Sequence, residues 1–159
     1  MSASNKAWLI IDGYSLLHRD PQLKALAGSK LELARDLLVR TVEQLANQLA
    51  QRTTIVFDGR GGGISRAIST TSLEILFTPT RYTADTVIER LVSSHKTPAE
   101  ILVVTSDRAE RDTVSAAGAD SLSSGDFLSL CRTRQAAISQ RSRARKARNP
   151  TIGEFFPPQ

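Results

Sequence analysis

Apolar positions follow two patterns that take turns along the chain. Short unbroken runs, AWLII at residues 7–11, TTIVFDG at 53–59, SLEILFT at 72–78 and EILVVTSD at 100–107, read as strands buried on both faces. Between the first two, residues 31–51 place Leu31, Ala34, Leu38, Val42, Leu45 and Leu49 on one stripe at helical spacing. Residues 83–94 repeat that spacing with Val87, Ile88, Leu91 and Val92. RAERDTVSAAGA predicts a third, short helix ending near Gly118, and a brief strand at 119–121 and a helix over 125–138 complete the series. Parallel neighbours need a crossover between them, and strand–helix alternation supplies it. The pattern predicts an α/β fold, a three-layer sandwich with a mostly parallel central sheet. RGGGISRAIST, residues 60–70, is polar and glycine-rich and reads as a mobile loop.

Composition narrows the setting. The chain is 40% hydrophobic and 23% charged, the balance of a folded domain. No apolar run approaches the ~20 residues of a membrane span, and MSASNKAW lacks the basic-then-apolar order of a signal peptide. Cys131 is the single cysteine, so one chain can build neither a disulfide nor a cysteine-based zinc site. These features read as a soluble, cytoplasmic protein. The net charge of +5 is unevenly spread, since residues 1–140 hold 16 basic and 15 acidic side chains while RSRARKAR, residues 141–148, adds five basic and no acidic ones. The expected division is therefore a domain over 1–138 and a basic arm with a Pro/Phe tail over 139–159, the arm suited to phosphate backbones.

The chemistry sits where strands end. In open parallel sheets the working crevice lies beyond the carboxyl ends of the strands. LIID, IVFD and VVTSD put Asp12, Asp58 and Asp107 at that edge, and TADTVIER adds Asp85 in a first helical turn with Glu89 four residues on. Carboxylates so close raise one another's pKa, which a divalent cation relieves. Oxygen ligands in small number suit Mg²⁺ or Mn²⁺, and the reaction that fits is phosphodiester hydrolysis. Each acid also has a duller account: Asp107 with Glu110 as a capping box, Asp85 as a helix-dipole acid, Asp58-Gly59 as a turn. Asp12 has no capping pattern after it. Tyr14 counts against a phosphatase with a second aspartate two residues on, Ile11 against a receiver-type acid pair, and the lack of a glycine fingerprint in DGYSLLH against a dinucleotide fold, so all three rank well below a nuclease. His18 and His95 are too isolated to argue for zinc.

DGYS, VFDG, TADTVIERL and VVTSDRAERD, in this order and spacing, resemble the NYN-domain ribonucleases, closest to the YacP-like branch of the PIN-like nuclease fold, over about residues 7–130. The resemblance implies a metal-dependent endoribonuclease acting on single-stranded RNA, with messenger RNA as substrate and the ribosome as a candidate partner. It implies Asp12, Asp85 and Asp107 as metal-binding acids, Glu89 as a further catalytic acid, and Ser106, Ser15 and Asp58 in support. Ser15 stands where the family commonly has asparagine. Tyr14, Arg60, Arg66, Arg81, Arg108 and Arg111 are the candidate RNA contacts, by stacking and by phosphate pairing. The competing reading is a catalytically weak or inactive PIN-like module that binds RNA or a ribosomal surface.

Overall fold

The structure, a computed structural model, describes residues 5–59, 63–64 and 72–148. β1 (Lys6–Asp12) is followed by α1 (Gly13–Arg19), α2 (Pro21–Ala27), α3 (Leu31–Leu49) and β2 (Ala50–Asp58). Next come β3 (Gly63–Ile64), β4 (Leu73–Thr78), α4 (Ala84–Ser94), a 3₁₀ turn (Pro98–Glu100) and β5 (Ile101–Val104). α5 (Arg108–Ala116), β6 (Asp120–Leu122) and α6 (Ser124–Arg148) complete the described chain. The sheet order is β3-β4-β2-β1-β5-β6, parallel throughout except for the β3–β4 pair at one edge.

Side chains alternate across β1 and thereby define the two outer layers. Leu9 and Ile11 join Ile55, Phe57 and Ile75 in the core under α1, α2, α3 and α6, where Leu38, Val42 and Phe127 are buried. Trp8 and Ile10 face the other way, against Ile88 and Val92 of α4 and Val114 of α5. Both faces of β1 are covered, so its run is apolar without a break. The Trp8 indole N–H donates to Thr54 Oγ1 at 2.9 Å, so this large side chain is buried with its polar atom satisfied.

Three local features differ from the sequence expectation. The stretch after Asp12, for which the apolar pattern predicts no element before residue 31, forms two short helices. Asp20 N-caps the second, accepting from Gln22 N–H at 2.9 Å and Leu23 N–H at 3.3 Å, and Pro21 opens it. The stretch expected as loop carries the two-residue β3; Arg60 and Arg66 lie outside the described residues. The last helix does not stop at 138. It runs on to Arg148, so the expected boundary falls inside one continuous helix. Its first half is pinned by Phe127, Leu128 and Cys131 and by Arg134 and Gln135 bonding to Gln48 and Gln44 of α3. Residues 135–147 are exposed.

The turn from β1 into α1 has no room to spare. A Cβ at Gly13 would stand 2.3 Å from Cε1 of the fully buried Phe57. Gly13→Ala is expected to cost roughly 1–3 kcal/mol by overpacking, measured as a lower urea midpoint at unchanged m-value.

Candidate metal centre

Asp12 sits at the topological switch point, where β1 has β2 on one side and β5 on the other. It ends the strand and N-caps α1, so a capping pattern does follow it, contrary to the sequence reading. Ser15 N–H reaches Oδ1 at 3.3 Å, and Ser15 Oγ donates to Oδ2 at 2.9 Å. Serine thus orients this carboxylate in the place where asparagine is common in the family it resembles. Asp12 is buried, and desolvation raises its pKa above the ordinary 3.8; the Ser15 bonds oppose the rise and the charges of Asp85 and Asp58 add to it.

Asp85 arrives from α4. Thr83 caps that helix by accepting from Thr86 N–H at 3.2 Å, while Asp58 Oδ1 accepts from Ala84 N–H at 2.6 Å. The helix start is therefore satisfied without Asp85, whose carboxylate is left for other work. Asp58 anchors α4 to the end of β2, a supporting position outside the cluster itself.

The acid that the structure brings beside Asp12 and Asp85 is Glu110, and Asp107 lies outside this group. One oxygen each of Asp12, Asp85 and Glu110 lie within 4.8 Å of one another. Asp107 is exposed and occupied as the N-cap of α5, accepting from Ala109 N–H at 2.9 Å and Glu110 N–H at 3.3 Å. In a capping box Glu110 would turn back to the Asp107 N–H. Here Thr105 Oγ1 accepts from that N–H at 3.2 Å and donates to Glu110 Oε2 at 2.7 Å, which releases Glu110 into the carboxylate group. That substitution of partners is why the capping-box reading hides it.

Glu110 is 2% exposed, and its Oε1 has no hydrogen-bond donor among the described residues. Its near neighbours, Asp85 and Asp12, are also acceptors, so only a shared proton or a cation can join them. Burial pushes the Glu110 carboxyl up to about 8 from its ordinary 4.5; the Thr105 bond opposes this, and Asp85 and Asp12 add to it. The donors are hard oxygens alone, which fits Mg²⁺ or Mn²⁺ and does not fit a metal that prefers nitrogen or sulfur. Asp12, Asp85 and Glu110 would hold an Mg²⁺ or Mn²⁺ ion, and three carboxylates leave it sites for water. Cys131 offers no rival nucleophile, being buried with its thiol pushed up to about 11.

The remaining expected residues are spread around this group. Glu89 lines a groove between α4 and α5 with Thr113 and Ala117, apart from the three acids. Ser106 is exposed one residue before Asp107. Tyr14 is half-buried, edge-on to Phe57 with centroids 5.1 Å apart, and its hydroxyl accepts from Arg35 at 3.3 Å. Arg81 and Arg108 are exposed and Arg111 half-buried.

The YacP-like NYN domain family matches residues 9–155. The protein YacP of Bacillus subtilis (strain 168) is 30% identical over 144 residues, 89% of this chain and 85% of that protein. A crystal structure of a point mutant of Rae1 (YacP) from Bacillus subtilis superposes with a TM-score of 0.74 at 29% identity, over 91% of this chain and 86% of that one. A second crystal structure of Rae1 (YacP) gives 0.71 at 29% identity, over 87% and 81%. No helix among the described residues is long and apolar enough to cross a membrane. The matched span carries the second half of β1, the switch point and all three clustered acids, and the chain belongs to the YacP-like NYN domain family.

Proposed function

We propose that this chain is a divalent-metal-dependent endoribonuclease that hydrolyses phosphodiester bonds of single-stranded RNA. Family membership supports the nuclease class, and one observation carries the metal: a buried Glu110 oxygen with no donor among the described residues, set against Asp12 and Asp85. Mg²⁺ or Mn²⁺ bound there would supply positive charge for the attacked phosphate. Asp12, Asp85 and Glu110 hold that charge in place. Ser15 fixes the orientation of Asp12, and the Thr105 hydroxyl does the same for Glu110. Asp107, on the turn between Thr105 and α5, supports the site by holding the first turn that carries Glu110. Arg81, Arg108 and Arg111 lie on the segments that deliver Asp85 and Glu110, where guanidinium groups contact substrate phosphates. Messenger RNA at the ribosome is the proposed substrate source, in the cytoplasm.

The test is cleavage of a panel of single-stranded and structured RNAs with Mg²⁺, Mn²⁺ or EDTA. Wild type is expected to cut single strands only with metal, and Asp85→Asn to cut at least ~100-fold more slowly. Cutting that EDTA does not touch would remove the metal mechanism. Binding by both proteins with cutting by neither would make the chain an RNA-binding module.

A further inference from the structure

The sheet edge that bears the carboxylates carries a second built feature. A cavity of about 590 Å³ opens where the end of β5 meets the start of α6, walled by Ser106, Ser123, Ser124 and Gly125, with Arg19 and Arg132 at its sides. α6 is 25 residues long, and the N–H groups of Ser124 and Gly125 at its start have no partner within the helix. They carry the positive end of its dipole. Ser124 gives an independent sign. It is fully buried in the cavity wall, and its hydroxyl has no hydrogen-bond partner among the described residues. Such a group is costly to keep unless something bonds to it.

The arginines are placed for an anion. Arg19 presses on the helix end so closely that a Cβ at Gly125 would stand 3.0 Å from its Nε, so glycine is what lets the guanidinium approach. Neither Arg19 nor Arg132 makes an ion pair among the described residues, and both are exposed. The rim also bears the exposed Asp126 carboxylate, which two guanidiniums and a helix start outweigh.

We propose that this cavity binds a backbone phosphate of the RNA strand, with Arg19, Arg132, the start of α6 and the Ser124 hydroxyl as its donors. The proposal rests on the RNA reading above and adds a positioning subsite to it. Ser106, in the cavity wall, directly follows Thr105, which bonds to Glu110 and lies 3.5 Å from Asp12. Cavity and carboxylates therefore flank one strand end. A strand crossing that end sets one phosphate at the acids and a neighbouring one in the cavity.

The experiment measures the Kd of a fluorescein-labelled single-stranded oligoribonucleotide across a salt series, in EDTA so that nothing is cut. The Arg19→Ala/Arg132→Ala double variant is expected to bind about 10- to 100-fold more weakly at low salt. Its slope of log K against log salt should shrink by about 0.7 for each phosphate that the protein no longer neutralises. Ser124→Ala should weaken binding about 3- to 10-fold while its melting temperature holds or rises, because the deleted hydroxyl has no hydrogen-bond partner among the described residues. A lower melting temperature with unchanged binding would make Ser124 structural and overturn its role. Unchanged Kd and slope in the double variant would overturn the subsite even if wild type cuts RNA with Mg²⁺. Weakened binding together with no cutting by wild type would keep the subsite and remove the nuclease reading alone.

Discussion

Glu110→Gln is expected to slow metal-dependent RNA cleavage by at least ~100-fold and, in the same protein, to raise the stability of the metal-free fold at pH 8. The two effects share a cause. Glu110 is buried against two other carboxylates, so the folded chain holds its proton up to about pH 8, whereas the unfolded chain releases it near 4.5. Between those values the folded state binds more protons than the unfolded state, and stability falls as pH rises. Below 4.5 this contribution is complete, and above about 8 it is gone. Asp12, also raised, adds a fall of the same sign beginning at lower pH. At about 1.4 kcal/mol per pKa unit, wild type should lose roughly 2–3 kcal/mol from pH 5.5 to 8 in EDTA. Glutamine has no proton to lose and brings an N–H₂ group to two acceptors, so its profile should be nearly flat. Urea titrations of both proteins at the two pH values check this. Equal slopes would show that Glu110 does not titrate in that window.

Asp12→Asn should be the most severe loss of activity with the least loss of fold. Asparagine caps a helix about as well as aspartate, so the start of α1 and its bond from the Ser15 N–H persist. Stability should stay within about 1 kcal/mol of wild type, with any change upward because a buried charge has gone. The amide nevertheless removes the anionic ligand at the switch point. If the bound ion contributes several kcal/mol to the barrier, single-turnover cleavage should fall between ~100- and ~10,000-fold. Mg²⁺ should also stop raising the melting temperature, since ligand stabilisation requires the site. A variant that folds, gains no stability from Mg²⁺ and still cuts RNA would separate the carboxylate group from catalysis.

These residues differ in how visibly they are written. Asp12 is legible because an acid closing an apolar strand has no cheap resting place, and Asp85 because a first helical turn faces the same edge. Glu110 is not, since Asp107 and Glu110 satisfy the spacing of a capping box and local chemistry accounts for them both. Only the tertiary bonds of Thr105, between β5 and the acids, decide otherwise. The strands and long helices follow from periodicity, which needs length to show itself. α1 and α2, seven residues each, are too short for a stripe to emerge, although Asp20-Pro21 marks the start of the second. The far half of α6 escapes for the opposite reason: beyond Ile138 there is no apolar stripe to register a period, and helix formation there rests on alanine and arginine propensity alone.

That unpacked half has its own consequence. Arg141 lies four residues from Arg145, and Arg143 three from Lys146, so like charges stand one above another along the described segment. From Ala136 to Arg148 it spans about 18 Å at 1.5 Å per residue, and its side chains make no hydrogen bond or ion pair among the described residues. An isolated run of about 12–15 residues is marginal as a helix of its own. A polyanion laid alongside would cancel that repulsion, so the stiffness of this lever would rise with its occupancy.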